Sequence, residues 1–488
     1  MTSSRRPAPA VAIVGAGFGG IGLAIRLRRA GIGSFTIFER AASIGGTWRE
    51  NTYPGAACDI PSHLYSFSFE QNPTWNRAYA GQAEILRYLQ SCVDKYGLRE
   101  HIRFGTGVSS ARFDERRNLW VLDLSDGGTF EATVLVTACG LLNRPQLPNV
   151  PGREAFGGPA FHSARWRHDV DLTAKRVGVI GTGASAVQIV PEIAPRAASL
   201  VLFQRSAPYV IPKADRDYRA FEKTLFRRLP FVQHINRALT YAAHEVRFVA
   251  FGYSRAAMKP SRRIFERLLE RQVADPELRR KLTPDYEMGC KRIMISNDYY
   301  RALARENVEV VTDPVERITP AGVVTRDGRE RPFDALVYAT GFAATEFLVP
   351  MRVTGRNGAA LDDAWRGGAE AYLGIAVSGF PNFFMLYGPN TNLGHNSIIF
   401  MLEAQIAYVM DAIETLARGK RVRLDVRPEV QAAFNRRLQK RLTTSVWAVG
   451  CTSWYVDAAG KNTVNWPGFT FDYRLRTSKL NLRDYALS

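Results

Sequence analysis

Twice in this chain an apolar run ends in a glycine turn and gives way to a helical pattern. The first is VAIVGAGFGG, with Gly15, Gly17 and Gly20; the second is VGVIGTGASA, with Gly181, Gly183 and Ala186. Glycine at the first two positions lets the turn tighten and lets the backbone approach a pyrophosphate, which then rests on the N-terminus of the following helix. A single turn of this kind is weak evidence. A strand before it, a helix after it and a charged residue at a set distance make it strong. Both copies meet those conditions, so the expected fold class is α/β, with two Rossmann-like dinucleotide-binding domains.

The two copies differ where it matters chemically. Glu39 lies 19 residues after Gly20, and Arg205 lies 19 residues after Ala186. A carboxylate at that place accepts hydrogen bonds from ribose hydroxyls and repels a 2′-phosphate; an arginine pairs with the 2′-phosphate through its fork. The first unit is therefore expected to hold a dinucleotide with free ribose hydroxyls and the second a 2′-phosphorylated one. FAD and NADPH are the cofactors that fit this pairing.

The rest of the chain is organised around the two units. Val11–Val14 and Phe35–Phe38 are expected strands, with helix over 21–30 between them. Further strands are expected at 120–124, 130–137 and, as a buried run ending in glycine, 134–140. Residues 143–152, NRPQLPNVPG, are Pro-rich and extended, a crossing between domains. Phe156, Gly158, His162 and Trp166 follow at a spacing that is neither helical nor strand-like, which reads as a shaped connection. Residues 333–342 mirror 134–140 and are taken as the return to the first domain. The domains are thus expected at 1–148 with 334–488, and at 149–333, with a helical insertion at about 212–288. That insertion is basic and aromatic; packing over the nucleotide domain or gating the substrate is favoured over contact with a membrane surface. The C-terminal part, with Trp447, Trp454 and Trp466, reads as an irregular aromatic lining over a flat cofactor.

Composition narrows the class. No apolar run among the 488 residues reaches the ~18 needed to span a bilayer. The opening MTSSRRPAPA lacks the apolar core of a secretory signal. Five cysteines, Cys58, Cys92, Cys139, Cys290 and Cys451, are scattered, with no metal-ligand spacing and no disulfide framework. A reduced, cytoplasmic enzyme without a metal is expected, as monomer or homodimer. The net charge of +19 is spread along the chain and accompanies no nucleic-acid motif, so no nucleic-acid partner is expected.

Taken together, the chain resembles the class B flavoprotein monooxygenases, and among them the Baeyer–Villiger monooxygenases. The resemblance covers nearly the whole chain. It rests on the two glycine turns, the segment with Gly46, Thr47 and Trp48, the YPGAACD segment ending in Asp59, the Phe156, Gly158, His162, Trp166 linker, Lys291 and Arg292 ahead of DYY, and ATGF. Trp166 favours the ketone oxygenases over the sister enzymes that oxidise nitrogen or sulfur. Arg167 stands where the family carries Pro or Asp, and the loop VDAAGKNTVNW differs from that of the cyclic-ketone enzymes, which leaves the ketone open.

The resemblance implies that NADPH reduces FAD, that O2 adds to give a peroxyflavin, and that one oxygen atom enters a ketone to give an ester or lactone. It implies Arg292 as the catalytic cation and Asp59 as the carboxylate that orients it. Arg205, Ser206 and Lys291 would grip the 2′-phosphate, Trp454 would lie near the nicotinamide ribose, and His162 would act as a hinge residue. Oxidation of nitrogen or sulfur, and a non-catalytic NADP(H)-sensing flavoprotein, stay as alternatives. A disulfide reductase is disfavoured because no redox cysteine pair lies in the sequence.

Overall fold

Two five-stranded parallel sheets form the frame of the molecule. They are seen in a computed structural model that describes residues 9–419, 422–448, 451, 453–457 and 459–487. Residues 1–8, read above for a leader, lie outside the described residues. The first sheet runs Phe383–Met385, Val134–Thr137, Val11–Val14, Phe35–Phe38, Ile102–Arg103. The second runs Ala160–His162, Ala335–Tyr338, Arg176–Ile180, Ser199–Phe203, Val308–Val311. In each, the central strand leads into a glycine turn, the next strand in sequence lies on one side of it, and a late strand lies on the other. Each sheet also has its own antiparallel meander inserted before that late strand, at 108–132 and at 315–332. The same plan is used twice.

The sequence accounts for this frame. The central strands are continuous apolar runs, as parallel strands covered on both faces must be. Val11, Ala12, Ile13, Val134, Leu135 and Val136 are fully buried. The helix Phe18–Arg29 lays Ile21, Ala24 and Ile25 on the first sheet; at ~1.5–3 kcal/mol for each large aliphatic side chain, this burial is the main force holding helix to sheet. The helix begins at Phe18, three residues earlier than its apolar period suggests, because the turn itself supplies the first helical glycines.

Several expectations are corrected. The strand Ala335–Tyr338 does not return to the first domain: it pairs in parallel with Arg176–Ile180 and belongs to the second sheet. The 130–137 run is two strands, Thr129–Ala132 and Val134–Thr137, in different sheets. Part of the shaped connection, Ala160–His162, is an edge strand. The C-terminal part is more regular than expected, with a helix at Pro428–Leu442, and Trp447 and Trp466 are core residues rather than a cofactor lining. Cys290 and Cys451 form a disulfide with Cα atoms 6.3 Å apart, against the reading of five reduced cysteines. They lie 161 residues apart, so spacing carries no hint of it. The insertion is helical as expected, with its longest helices at Pro230–Val246 and Lys259–Gln272.

The first turn has a sharp steric requirement. A Cβ built on Gly20 would lie 2.0 Å from the Gly15 carbonyl oxygen, whereas the second turn carries a fully buried Ala186 at the matching place. We predict that Gly20→Ala lowers the melting temperature and the flavin content of the purified protein, overpacking of this kind costing ~1–3 kcal/mol or more. Ala186→Gly should keep flavin stoichiometry unchanged. Full flavin content in Gly20→Ala would contradict this account of the turn.

Candidate active site

One cleft of about 1530 Å³ is lined by both glycine turns. Gly15, Gly17, Glu39, Gly46, Thr47, Trp48 and Asp59 line it from the first unit, and Gly181, Gly183, Arg205 and Ser206 from the second. Lys291, Arg292 and Trp454 complete it. Gly20 and Ala186 stand behind the turns, as packing residues. The backbone at Gly15 and Gly181 is left-handed, with φ of 106° and 110°, so the two turns have the same shape. Gly46 and Gly17 face each other so closely that a Cβ on Gly46 would lie 3.3 Å from the Gly17 Cα. Among the described residues, no side-chain atom lies within 4 Å of a Cβ built on Gly17 or Gly46. Nothing lies within 4 Å of a Cβ built on Gly183, so the second turn also presents bare backbone to open space.

Glu39 is buried at the end of its strand. Its carboxylate accepts from the Ala16 and Ala41 amides, both at 3.0 Å, and lies 3.2 Å from the Arg49 guanidinium. A carboxylate has about four lone-pair sites, so capacity remains for ribose hydroxyls. Trp48 donates from its indole to the Tyr65 hydroxyl at 3.2 Å.

The second unit gathers cations. Lys291 Nζ donates to Ser206 Oγ at 2.9 Å and lies over the Tyr286 ring, 4.4 Å from its centre. Burial, then the nearby Arg205 charge, depresses the Lys291 pKa. Arg205 is exposed on the rim. Like charges held together with depressed proton affinity are a site that an anion relieves. The Thr182 hydroxyl donates to the Ser206 carbonyl at 2.9 Å, which ties this group to the second turn.

Arg292 and Asp59 meet across 233 residues of sequence. Arg292 Nε donates to Asp59 Oδ2 at 3.0 Å, and Nη2 donates to the same oxygen. The Asp59 charge pushes the Arg292 pKa further up, and the guanidinium is a permanent cation. Both side chains keep part of their surface open to the cleft, 25% for Arg292 and 32% for Asp59. The loop that carries Asp59 is clamped onto the second unit. The Tyr53 hydroxyl donates to Gln188 Oε1 at 2.9 Å, Gln188 Nε2 donates to the Ala57 carbonyl at 2.9 Å, and a Cβ on Gly55 would lie 2.7 Å from the Gln188 carbonyl. Tyr387 and Tyr455 flank Arg292. Burial raises both phenols, Tyr455 to about 12. The Tyr387 hydroxyl donates to Asn392 Oδ1 at 2.7 Å. Sequence reading missed Tyr387, Tyr455 and Gln188: Gln188 lies two residues beyond the second glycine turn and Tyr455 beside Trp454, but nothing in the spacing tells which partner either one meets.

The linker residues stand outside the cleft. His162 accepts the Ala164 amide at Nδ1, 3.1 Å, and so donates from Nε2 to the Gly341 carbonyl at 3.0 Å. Burial lowers its pKa. A neutral histidine thus latches the incoming connection to the ATGF end of the second sheet. Gly158 leaves no room for a side chain, since its Cβ would lie 2.7 Å from the Asp334 carbonyl. Phe156 is half-buried against the 315–332 meander, and Trp166 packs edge-on against Phe161, 5.1 Å between centres. Arg167 is exposed and paired with Asp169, so its departure from the family pattern touches neither cleft nor core.

Residues 12–220 match the family described as pyridine nucleotide-disulphide oxidoreductase. A Baeyer-Villiger monooxygenase of Pseudomonas aeruginosa is 47% identical over 100% of this chain and 94% of its own length. The chain belongs to the Baeyer–Villiger monooxygenase family. A second such monooxygenase, from Streptomyces coelicolor, is 46% identical over 98% of this chain and 92% of its own. Among solved structures, a closed form of cyclohexanone monooxygenase superposes with a TM-score of 0.89 at 29% identity, covering 98% of this chain and 99% of that one. A steroid monooxygenase bound to NADP gives 0.87 at 33% identity, covering 98% and 99%. The two-domain Rossmann-like fold of this monooxygenase is thereby that of its relatives.

The cation cluster makes a measurable difference. Arg205→Ala should raise KM for NADPH by ~10–100-fold, the range of a charge-assisted contact, and leave KM for NADH unchanged. In the parent, KM for NADPH should rise as Lys291 loses its proton. Because its pKa is depressed, that rise should begin below the ordinary lysine range, and Lys291→Arg should remove it. Equal use of both nucleotides by the parent enzyme would contradict this assignment.

Proposed function

We propose that this enzyme binds FAD in the first unit and NADPH in the second, and inserts one oxygen atom of O2 into a ketone to give an ester or lactone. The observation that carries the proposal is the Arg292–Asp59 pair, standing in a cleft that both nucleotide turns line. The residues fit both cofactors. The first cradle has backbone where side chains would block a pyrophosphate, and Glu39 at the ribose position; the second has Arg205, Ser206 and Lys291 where a 2′-phosphate would sit. When bound, FAD supplies the passage of electrons from NADPH to oxygen and the delivery of one oxygen atom to a carbonyl.

The chain's own contribution is placement and charge. Arg292 holds a fixed positive charge beside the reacting groups. Negative charge that develops on oxygen during insertion is stabilised by a cation already in place, with no reorganisation at the moment of reaction. Asp59 fixes the direction of the guanidinium through two hydrogen bonds from one edge, and Nη1 donates to the Leu393 carbonyl at 3.5 Å, which holds the other side of the cation at the cleft wall. Tyr387 and Tyr455 stay protonated at any working pH, so they add hydroxyl dipoles and no competing anion. Trp454, partly exposed at the cleft mouth, provides an aromatic face at the position proposed for the nicotinamide ribose.

Arg292→Ala should fold and keep FAD. Ester formation should fall by ~10²-fold or more, the scale of losing one oxyanion-type contact. NADPH should still be consumed, with hydrogen peroxide as the product. Asp59→Ala should show a milder uncoupling, since the cation remains but is poorly aimed. Reaction type is tested by scanning ketones, thioethers and amines and identifying products by mass. Oxygen gained by amines or thioethers but by no ketone would overturn the ketone assignment.

A further inference from the structure

The helix Pro230–Val246 is built inside out. Its buried residues are Gln233, Arg237, His244 and Glu245. These polar groups bond the insertion to the body of the protein. Gln233 Nε2 meets the Asn72 carbonyl at 2.7 Å, Arg237 donates to the Ser66 carbonyl at 2.9 Å, and Glu245 accepts from Asn396 Nδ2 at 2.7 Å. The face turned outward is mainly apolar, with His234 its one exposed polar residue among those described. Phe231, Ile235, Leu239 and Val246 are 58, 54, 67 and 67% exposed. At ~100° per residue those four fall within an arc of roughly 80°, a single stripe on a helix of ~25 Å. A water-facing helix has the opposite arrangement.

The stripe does not end with the helix. The Tyr241 hydroxyl bonds Thr470 Oγ1 at 3.0 Å, and the Thr470 hydroxyl donates to Glu245 Oε2 at 2.8 Å. The helix Thr470–Arg476 that starts there exposes Phe471 and Leu475, at 48 and 69%. Apolar patches of this continuity mark a surface that something covers.

Charge decides what covers it. From Lys223 to Ile264 the sequence holds nine lysines and arginines and one acid, Glu245, which is buried. Arg227 and Arg228, just before the helix, and Arg247, just after it, are exposed at its two ends. A second copy of this chain would set that cationic field against itself. An anionic lipid surface takes both parts, the apolar face lying at the acyl boundary and the basic ends at the phosphates. No helix among the described residues is long and apolar enough to cross a membrane, so the contact would be with one leaflet. We propose that the Pro230–Val246 and Thr470–Arg476 helices form a docking face for anionic phospholipid membranes. The sequence placed membrane contact behind packing and gating; the inverted polarity of the helix, visible only once its buried face is known, is what favours it.

The test is flotation of the flavin-loaded enzyme with vesicles of equal parts phosphatidylglycerol and phosphatidylcholine, against phosphatidylcholine alone. The parent should float with the anionic vesicles and stay behind with the neutral ones, and high salt should weaken binding by about tenfold or more as the lipid charge is screened. Ile235→Asp with Leu239→Asp should abolish flotation while leaving NADPH oxidation and melting temperature unchanged, because both side chains face outward. Arg227→Gln with Arg228→Gln should reduce it by a smaller factor. Failure of the parent to float with anionic vesicles at low salt would overturn the proposal, as would undiminished flotation of the double aspartate variant. A concentration-dependent dimer that the aspartate pair abolishes, with no vesicle binding, would assign the face to a second copy instead.

Discussion

The contact between Arg292 and Asp59 can form only if two separately folded units face each other in one register. Asp59 belongs to a loop of the first unit, and Arg292 arrives after the helical insertion of the second. A salt bridge with both partners partly open to solvent contributes little to stability, so this pair does not hold the units together. The holding is done next to it. Gln188, on the helix that follows the second glycine turn, bonds both Tyr53 and the Ala57 carbonyl, and Gly55 lets the loop lie directly on that helix. The aspartate is thus placed from one unit and steadied by the other. The guanidinium is then aimed by a carboxylate that cannot drift.

The frame behind that contact is one plan used twice. Each unit ends its central strand in a turn with left-handed glycine, and each presents the open end of the turn to the shared cleft. What differs is the charge placed beyond the turn: Glu39 in one unit, and the Arg205, Ser206 and Lys291 group in the other, which on our proposal select different nucleotides at equivalent positions. The chain crosses between units at the linker, where a neutral His162 holds the incoming strand to Gly341.

Much of this was legible in the sequence because it is local. Strand, turn, helix and charged residue follow one another within 30 residues, and their spacing carries the physics. What was not legible is long-range. Ala335–Tyr338 has the same pattern as the strand of the first unit that it mirrors, and nothing local says which sheet it joins. Cys290 and Cys451 meet through the fold of a 161-residue interval. Tyr387 and Tyr455 come to Arg292 from loops whose residues look like ordinary aromatic core. Trp447 and Trp466 failed in the opposite sense: an irregular, tryptophan-rich segment reads as a cofactor lining, yet both are packed among Phe251, Tyr455 and Tyr473. The polarity of the Pro230–Val246 helix is amphipathic on paper, and only the structure shows that its polar side is the buried one.

The central claim is that Asp59 acts through Arg292 and not beside it. A double-mutant cycle on the fraction of consumed NADPH that appears as ester measures this directly. Asp59→Ala and Arg292→Ala are made singly and together in the flavin-loaded enzyme. If the carboxylate works only by aiming the cation, the double variant should yield no less ester than Arg292→Ala alone. Losses that multiply, so that removing Asp59 lowers the yield as much without Arg292 as with it, would contradict the account and give the carboxylate a role of its own.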